Sequence, residues 1–544
     1  MSEPLARQFI DEQLEDVGWN LKNPNNVHLE ARETTSGICD YILKDKLGRP
    51  LAVLEAKKEN YPLLSADKQA KDYAEGWKVD FLFLANGKEI YFWDFKKFAY
   101  PKKITSFFSQ EDLELKFSSR KMAKSLSSIP VDQKIVNRKY QNDCIEKICN
   151  GISGGKTNFL IEMATGTGKT RVSLALIKKL FEANLISRML FVSDRDELRR
   201  QTAEKFLEFL PDYPCYAYKG GNFKSEKQIT VATYHSLFNN YSTLTAGYYD
   251  LIVIDECHRS IYGKFRHILD HFHSIKIGLT ATPYTFDGDL DENNEDVQIV
   301  KDTLKFFDLN EPSFKYRLKE AIKDGYLVPY SIYKAKTIKT SNEEGILINK
   351  NEIDFESLKS KDKEDLLKLY GDKEELIFDY SQLERKISIP KRNKSIVDEF
   401  RNVILYGDQN YKSEIKPREG KTIVFAVTQK HAIKLAQLFD DAFAEKKDLP
   451  TTRYADFVVS SGNDTETSRK KIRDFKKKEF PKILVSVGML DTGFDCEEVL
   501  NLVFARHVKS NVLYQQMRGR GTRLCKPIQK DRFWIFDFSG VTDF

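Results

Sequence analysis

Residues 157–182 read TNFLIEMATGTGKTRVSLALIKKLFE, and the reading of this stretch decides the fold. An apolar run comes first, then a loop rich in glycine and threonine. A segment with apolar residues at helical spacing follows, so the order is strand, loop, helix. The loop holds Thr165, Gly166, Thr167, Gly168, Lys169 and Thr170. Backbone N–H groups from Gly166 to Thr170, placed at a helix N-terminus, form a cradle for phosphate. In such a loop the lysine reaches the β- and γ-phosphates and the threonine hydroxyl holds Mg²⁺, which assigns those roles to Lys169 and Thr170. A Gly/Thr turn without a nucleotide is the plainer alternative, but it does not require a strand before the loop and a helix after it.

Working outward, YDLIVIDECHRS (249–260) supplies a partner for that loop. Four apolar residues make a buried strand that ends in Asp255, Glu256, Cys257 and His258. Asp255 suits the shell of a bound Mg²⁺, and Glu256 suits a general base that aligns an attacking water. Cys257 reads as a small packed residue. His258 has two readings, a cap or structural group and a link to the nucleotide state.

Near the start of the chain, GICDYILKDKLGRPLAVLEAKK (37–58) has the pattern of a hairpin. With the turn centred on Leu47 and Gly48, Asp40 falls opposite Glu55, and strand periodicity adds Lys57 to the same face. Ala52, Leu54 and Ala56 point the other way, into a core. Opposed carboxylates destabilise a hairpin, and a divalent cation between them reverses that sign. Carboxylate oxygens suit Mg²⁺, and Lys57 can orient a water or a phosphate. A surface hairpin with a solvated polar face is the alternative. Gln69 and Tyr73, in DKQAKDYAEGW (67–77), lie four apart on an expected helix and share a face. FLFLANGKEIYFWDF (81–95) reads as strand, Asn-Gly turn, strand.

The bulk properties fit a multidomain globular protein. The 544 residues are too many for one core, and the composition is 41% hydrophobic and 31% charged. A net charge of +6 permits an acidic partner such as nucleic acid without requiring one. Seven cysteines with no C-x-x-C pair suit a reducing compartment. No apolar run approaches the ~18 residues of a membrane span, and the start lacks an apolar signal region, so a cytoplasmic protein with no membrane partner is expected.

The pattern D…E-x-K followed by Q-x-x-x-Y resembles the PD-(D/E)xK nuclease domain at the N-terminus of type I restriction-enzyme R subunits. The resemblance implies that Asp40 and Glu55 bind metal, that Lys57 is catalytic, and that Gln69 and Tyr73 support the site or touch DNA. Cys39 stands where the family name has proline before its aspartate. An acid from an N-terminal helix often joins such sites, and Glu3 and Glu12 are both candidates. The phosphate loop, with Met163 where the strict motif has glycine, resembles the form found in superfamily 2 helicases. Further stretches resemble motifs of that superfamily in the same order. RKYQNDCIEKI carries Gln141, which the resemblance makes an adenine reader. LFVSDRDELRRQ and VATYHSL resemble loops on the nucleic-acid backbone. IGLTATP, with Thr280 and Thr282, resembles the loop linking hydrolysis to movement. EGKTIVFAVTQKHA opens a second α/β domain, which KILVSVGMLDTGFDC and YQQMRGRGTRL complete. In the last, Gln516, Arg520 and Arg523 are spaced for one helix face. Arg520 and Arg523 resemble arginine fingers that meet the γ-phosphate.

The expected architecture is α/β: a PD-(D/E)xK nuclease domain (1–125) followed by two RecA-like domains (126–330 and 331–544). A charged, partly helical insertion sparse in core residues is expected over 340–395. The basic stretch 469–480 is expected to be a helix, either on a nucleic-acid backbone or merely solvated. The resemblance implies an ATP-dependent double-stranded DNA translocase fused to a Mg²⁺-dependent endonuclease. Its partners would be separate methyltransferase (M) and specificity (S) subunits. The rivals are a stand-alone defence or repair nuclease-helicase and a DNA motor with an inactive nuclease fold.

Overall fold

The computed structural model describes the chain except for residues 1–2, 34–36, 60–61, 260–264, 282–302, 336–345, 354, 356–359, 379–383, 385–388, 408–415, 460–464, 492, 509 and 544. Thr282 lies outside the described residues, as does part of the 340–395 insertion.

The N-terminal segment builds a six-stranded mixed sheet from β1 (Val27–Glu33), β2 (Gly37–Lys44), β3 (Pro50–Ala56), β4 (Phe81–Ala85), β5 (Ile90–Asp94) and β6 (Lys102–Ile104), in that spatial order. All neighbours are antiparallel except β3 and β4. A parallel pair needs a crossover, and α2 (Asp67–Gly76) lies within it. In the hairpin, Tyr41 pairs with Leu54, Ile42 with Val53 and Leu43 with Ala52, but the register shifts between Leu43 and Lys44, and Lys44 pairs with Pro50 rather than with the Leu51 expected for a turn centred on Leu47 and Gly48. Ala52, Leu54 and Ala56 enter a core with Phe81, Phe83, Phe92, Phe107 and Phe108. On the other face, Val53 joins Cys39, Ile42, Ala70 and Tyr73. β3 is thus covered on both faces, and the solvated-hairpin alternative fails. The Asn86 side chain accepts from the N–H groups of Lys88 and Glu89, closing the expected turn between β4 and β5.

Helices α1 (Glu3–Asp16) and α3 (Gln110–Met122) flank this sheet. Ser109 and Asp112 form a capping box at the start of α3. Asp112 also pairs with Arg188 at 2.5 Å, with the two side chains 1% and 6% exposed. Lys116 pairs with Asp250 at 2.6 Å, and the Thr105 hydroxyl hydrogen-bonds the His271 ring at 2.9 Å. These links tie the segment to the next sheet, and the two form one compact unit whose described residues fall within 3–163, 168–281 and 303–315.

That next sheet has the order β13-β7-β12-β11-β8-β10-β9. Its strands are β7 (Asn158–Met163), β8 (Met189–Ser193), β9 (Cys215–Ala217), β10 (Ile229–Thr233), β11 (Leu251–Asp255), β12 (Ile275–Thr280) and β13 (Phe314–Tyr316). The pairs from β7 through β9 are parallel. Most of their residues are buried, as strands covered on both faces require. The helix α4 (Lys139–Ser153) precedes β7, and α5 (Lys169–Glu182) follows the phosphate loop.

The second compact unit has its described residues within 164–167 and 316–543. Its main sheet is wholly parallel, in the order β14-β21-β20-β17-β19-β18. The strands are β14 (Tyr330–Lys334), β17 (Thr422–Phe425), β18 (Ala455–Val459), β19 (Ile483–Val487), β20 (Asn501–Phe504) and β21 (Phe533–Asp537). The basic stretch expected to be helical lies largely within the helix Thr465–Lys477. The insertion holds more order than its charge suggests. Strands β15 (Ile346–Asn349) and β16 (Glu375–Phe378) pair antiparallel, and Ile348, Ile353, Leu366, Tyr370 and Ile389 form a small core.

One local expectation is corrected. The helix carrying Gln516 ends at Arg518, so Arg520 and Arg523 do not share a helix face with it. Gly519 and Gly521 bracket the turn that follows. A Cβ on Gly521 would lie 2.2 Å from the Phe533 ring, so a side chain there has no room. Arg523 then forms an isolated antiparallel bridge with Leu327.

Candidate functional site

The nucleotide loop is set by the strand–helix junction. Gly168 caps α5 in a left-handed conformation, at φ +90°, which favours glycine. A Cβ there would also meet Gln141 Nε2 at 2.7 Å. Gln141, 3% exposed, therefore lies directly against the loop that precedes Lys169. Lys169 donates to the Met163 carbonyl at 3.3 Å, and its ammonium stands 3.5 Å from Glu256 Oε1. Thr170 opens the first turn of α5. The Thr167 hydroxyl donates to the Ala164 carbonyl at 2.6 Å.

β12 separates β7 from β11, and β11 delivers Asp255 and Glu256 at its C-terminal end. Burial, reinforced by the neighbouring Glu256, pushes the Asp255 carboxyl above its ordinary range, while Lys169 opposes the shift. Glu256 has φ +47°, a left-handed backbone that is uncommon for a non-glycine residue. His258 Nδ1 is 3.1 Å from the Thr280 hydroxyl and 3.6 Å from Glu256 Oε2. The histidine thus stands between the acid pair and the end of β12. Two carboxylates, an ammonium and a threonine hydroxyl at a phosphate loop are the donor set that a Mg²⁺-nucleotide requires.

The hairpin brings the second set together. Asp40 Oδ2 accepts from the Ala56 N–H at 2.7 Å, which holds the two strands in register at this point. Lys57 Nζ is 2.6 Å from Glu55 Oε1. Glu55 is 3% exposed, and its second carboxylate oxygen is buried without a hydrogen-bond partner. Burial pushes the Glu55 carboxyl up to about 7, with Lys57 opposing and the nearby Asp40 adding to the rise. A buried carboxylate oxygen with no donor, beside a second carboxylate, fits a divalent cation. Among the described residues, no group of three or more His, Cys, Asp and Glu could hold a metal. A cation here would rest on two carboxylates and complete its shell with water and substrate oxygens. Gln69 Nε2 donates to the Tyr73 hydroxyl at 2.9 Å, so the two residues of α2 are joined as their spacing predicts.

The residues of α1 at this site were not legible in the sequence. Arg7 pairs with Asp40 Oδ1 through Nη2 and with Glu30 through Nη1. The Tyr41 hydroxyl donates to Asp11 at 2.9 Å. Glu12 is exposed, and the Glu3 side chain lies outside the described residues. The i, i+4 spacing of Arg7 and Asp11 was the available signal.

In the second unit, Gln516 is 2% exposed. Arg520 donates to the Phe494 carbonyl, and Arg523 pairs with Asp495 at 3.0 Å. Within the same unit, Arg523 Nη1 also donates to the Gly166 carbonyl at 2.8 Å.

A phosphate loop, an acid pair at the end of a strand two places away in the sheet, and a second parallel sheet that follows in the chain are the parts of a nucleotide-binding α/β protein. Comparison with known proteins agrees. Residues 134–285 match the family "Type III restriction enzyme, res subunit", and residues 408–525 match "Helicase conserved C-terminal domain". The chain is 27% identical to the type I restriction enzyme EcoKI endonuclease subunit of Escherichia coli (strain K12), over 99% of this chain and 52% of that protein. It is 28% identical to the EcoAI endonuclease subunit of Escherichia coli, over 94% of this chain and 61% of that protein. A solved fragment assigned as the HsdR subunit of a type I restriction enzyme from Vibrio vulnificus YJ016 is 25% identical. It aligns with a TM-score of 0.54 over 98% of this chain and 92% of that one. The chain spans about half to three-fifths of the length of the two curated relatives, 52% and 61%. Among the described residues, no helix is long and apolar enough to cross a membrane.

Proposed function

We propose that this chain is the restriction subunit of a type I restriction-modification system, acting as an ATP-dependent double-stranded DNA translocase and a Mg²⁺-dependent endonuclease. On this reading, residues 1–125 are a PD-(D/E)xK nuclease domain and 126–330 and 331–544 are the two RecA-like motor domains. The enzyme would work in the cytoplasm with methyltransferase and specificity subunits, to which target recognition is left. The observation that carries the reading is the coexistence of two acid sites in one chain. One is buried at the hairpin with Lys57, and the other is at the nucleotide loop with Lys169.

In the motor, Thr165 to Thr170 would hold the phosphates through loop N–H groups, with Lys169 supplying charge and Gln141 the contact to the base. Thr170 and Asp255 would hold Mg²⁺. Glu256 aligns the attacking water and accepts its proton. Arg520 and Arg523 offset the charge that grows on the departing phosphate. Thr280 and Thr282 would belong to the loop that passes hydrolysis on to movement, with Gln516 contributing to nucleotide binding. In the nuclease, Mg²⁺ supplies Lewis acidity at the scissile phosphate when bound. Asp40 and Glu55 would be its protein ligands, Lys57 would orient the water, and Gln69 and Tyr73 would support the site or touch DNA. The test is ATP hydrolysis with and without duplex DNA, and with and without the methyltransferase and specificity subunits. Stimulation by DNA is expected. Turnover that ignores DNA in every combination contradicts a translocase.

A further inference from the structure

Within the first unit, a cavity of about 340 Å³ lies between the six-stranded sheet and the parallel sheet. Six cationic side chains line it, Lys97, Lys102, Lys103, Lys116, Arg120 and Lys276, against the three carboxylates of Asp94, Asp250 and Asp270. The carboxylates are already engaged. Arg120 holds Asp94, Lys116 holds Asp250 at 2.6 Å, and Arg266 holds Asp270 at 3.2 Å. Lys103 turns to Glu89, also at 2.6 Å. Among the described residues, Lys97, Lys102 and Lys276 have no carboxylate within ion-pair distance. Lys102 donates to the Thr157 hydroxyl at 2.9 Å and Lys276 to the Phe272 carbonyl at 3.2 Å, both neutral acceptors.

Six cations against three engaged carboxylates leave the cavity with an excess of positive charge, which a bound anion offsets. Loss of solvent around the partly buried Lys276 pushes its ammonium down to about 8. Asp270 opposes that shift and Lys102 deepens it. The chain around the mouth is DFKKFAYPKK (94–103), which leaves β5 and enters β6. Lys97 and Lys102 stand 5.4 and 5.2 Å from the ring of Phe98, and Tyr100 is 78% exposed. Cations interleaved with aromatic rings on an exposed connection suit a nucleic-acid backbone.

We infer that this cavity and its rim bind backbone phosphates of DNA, through residues that neither the nucleotide loop nor the Asp40 hairpin uses. The phosphate chemistry follows from the unpaired lysines. The choice of DNA as its source rests on the function proposed above.

The test is a double variant, Lys97→Gln with Lys102→Gln, both exposed side chains, beside Lys103→Gln as a control whose charge is already paired. Duplex binding is followed by fluorescence anisotropy over a salt series. The expected result is about tenfold weaker binding at low salt. The slope of log affinity against log salt should become shallower by about two, because each lysine removed leaves one phosphate with its counterion. ATP turnover without DNA should not change, and the control should move much less. Inorganic tripolyphosphate is the second probe. Loss of its binding in the double variant, with DNA affinity and slope as in wild type, overturns DNA in favour of a small polyphosphate. Unchanged binding of both probes overturns the site itself. A wild-type protein that proves unable to cut DNA, in which the double variant still shows the shallower slope, sinks the proposed nuclease and leaves this site standing.

Discussion

Glu55→Gln should inactivate the nuclease and stabilise the protein above neutral pH. With no metal bound, burial pushes the Glu55 carboxyl up to about 7, against 4.5 for an ordinary glutamate. Such a rise corresponds to about 3 kcal/mol between the two protonation states. Between 4.5 and about 7 the folded state holds a proton that the unfolded state has released. Stability from this group is therefore complete below 4.5 and is lost as pH rises through about 7. Glutamine removes that slope. It also leaves Lys57 without its partner 2.6 Å away, which offsets part of the gain. The net expectation at pH 8 is a variant about 1–2 kcal/mol more stable than wild type, with little difference at pH 4.5. The assay is urea unfolding in Mg²⁺-free buffer with chelator, followed by tryptophan fluorescence at the two pH values. Trp19, Trp77 and Trp93, three of the four tryptophans, lie in the N-terminal segment and report its unfolding. A glutamine variant that is less stable than wild type at pH 8, or that keeps the wild-type pH slope, refutes the reasoning.

Lys169→Ala should abolish ATP hydrolysis while duplex binding persists, measured by phosphate release and by anisotropy. Unchanged turnover in the folded variant contradicts the loop assignment. Arg520→Ala or Arg523→Ala should slow hydrolysis by ~10³-fold or more with a far smaller change in nucleotide affinity, because their charge matters most as the phosphate departs. Equal losses in both quantities exclude that role. Asp112→Ala should destabilise the first unit by about 3 kcal/mol, since it removes the close partner of the buried Arg188 and leaves it only Glu111, 3.7 Å away and 54% exposed. Calorimetry checks this, and a shift below about 1 kcal/mol contradicts it.

Much of the fold was legible because local chemistry and global packing agree. The buried face of β3 followed from the alternation of Ala52, Leu54 and Ala56, whereas the turn at Gly48 did not set the register, because it shifts between Leu43 and Lys44. The nucleotide loop followed from glycines that no other residue replaces at Gly168. Other features depend on partners distant in sequence. The helix spacing of Gln516, Arg520 and Arg523 was misleading, because the helix ends at Arg518, before either arginine. Charge in the 340–395 insertion masked a small core, since Ile348, Leu366 and Tyr370 are spread thinly and meet only on folding. Arg7 was invisible as a site residue because its partner Asp40 lies 33 positions away. The charge balance of the cavity likewise depends on contacts distant in sequence. Only the folded arrangement shows that the neighbouring acids are taken by Arg120, Lys116 and Arg266.

The central claim is that one chain holds a DNA-cutting site and an ATP-driven motor that fail independently. The most direct measurement is plasmid cleavage and ATP turnover in the same reactions, using the full chain with its methyltransferase and specificity subunits, Mg²⁺ and ATP. Wild type and Lys57→Ala are compared. The account predicts that Lys57→Ala loses cleavage while its DNA-stimulated ATP turnover stays near wild type. Cleavage by Lys57→Ala at the wild-type rate would contradict it.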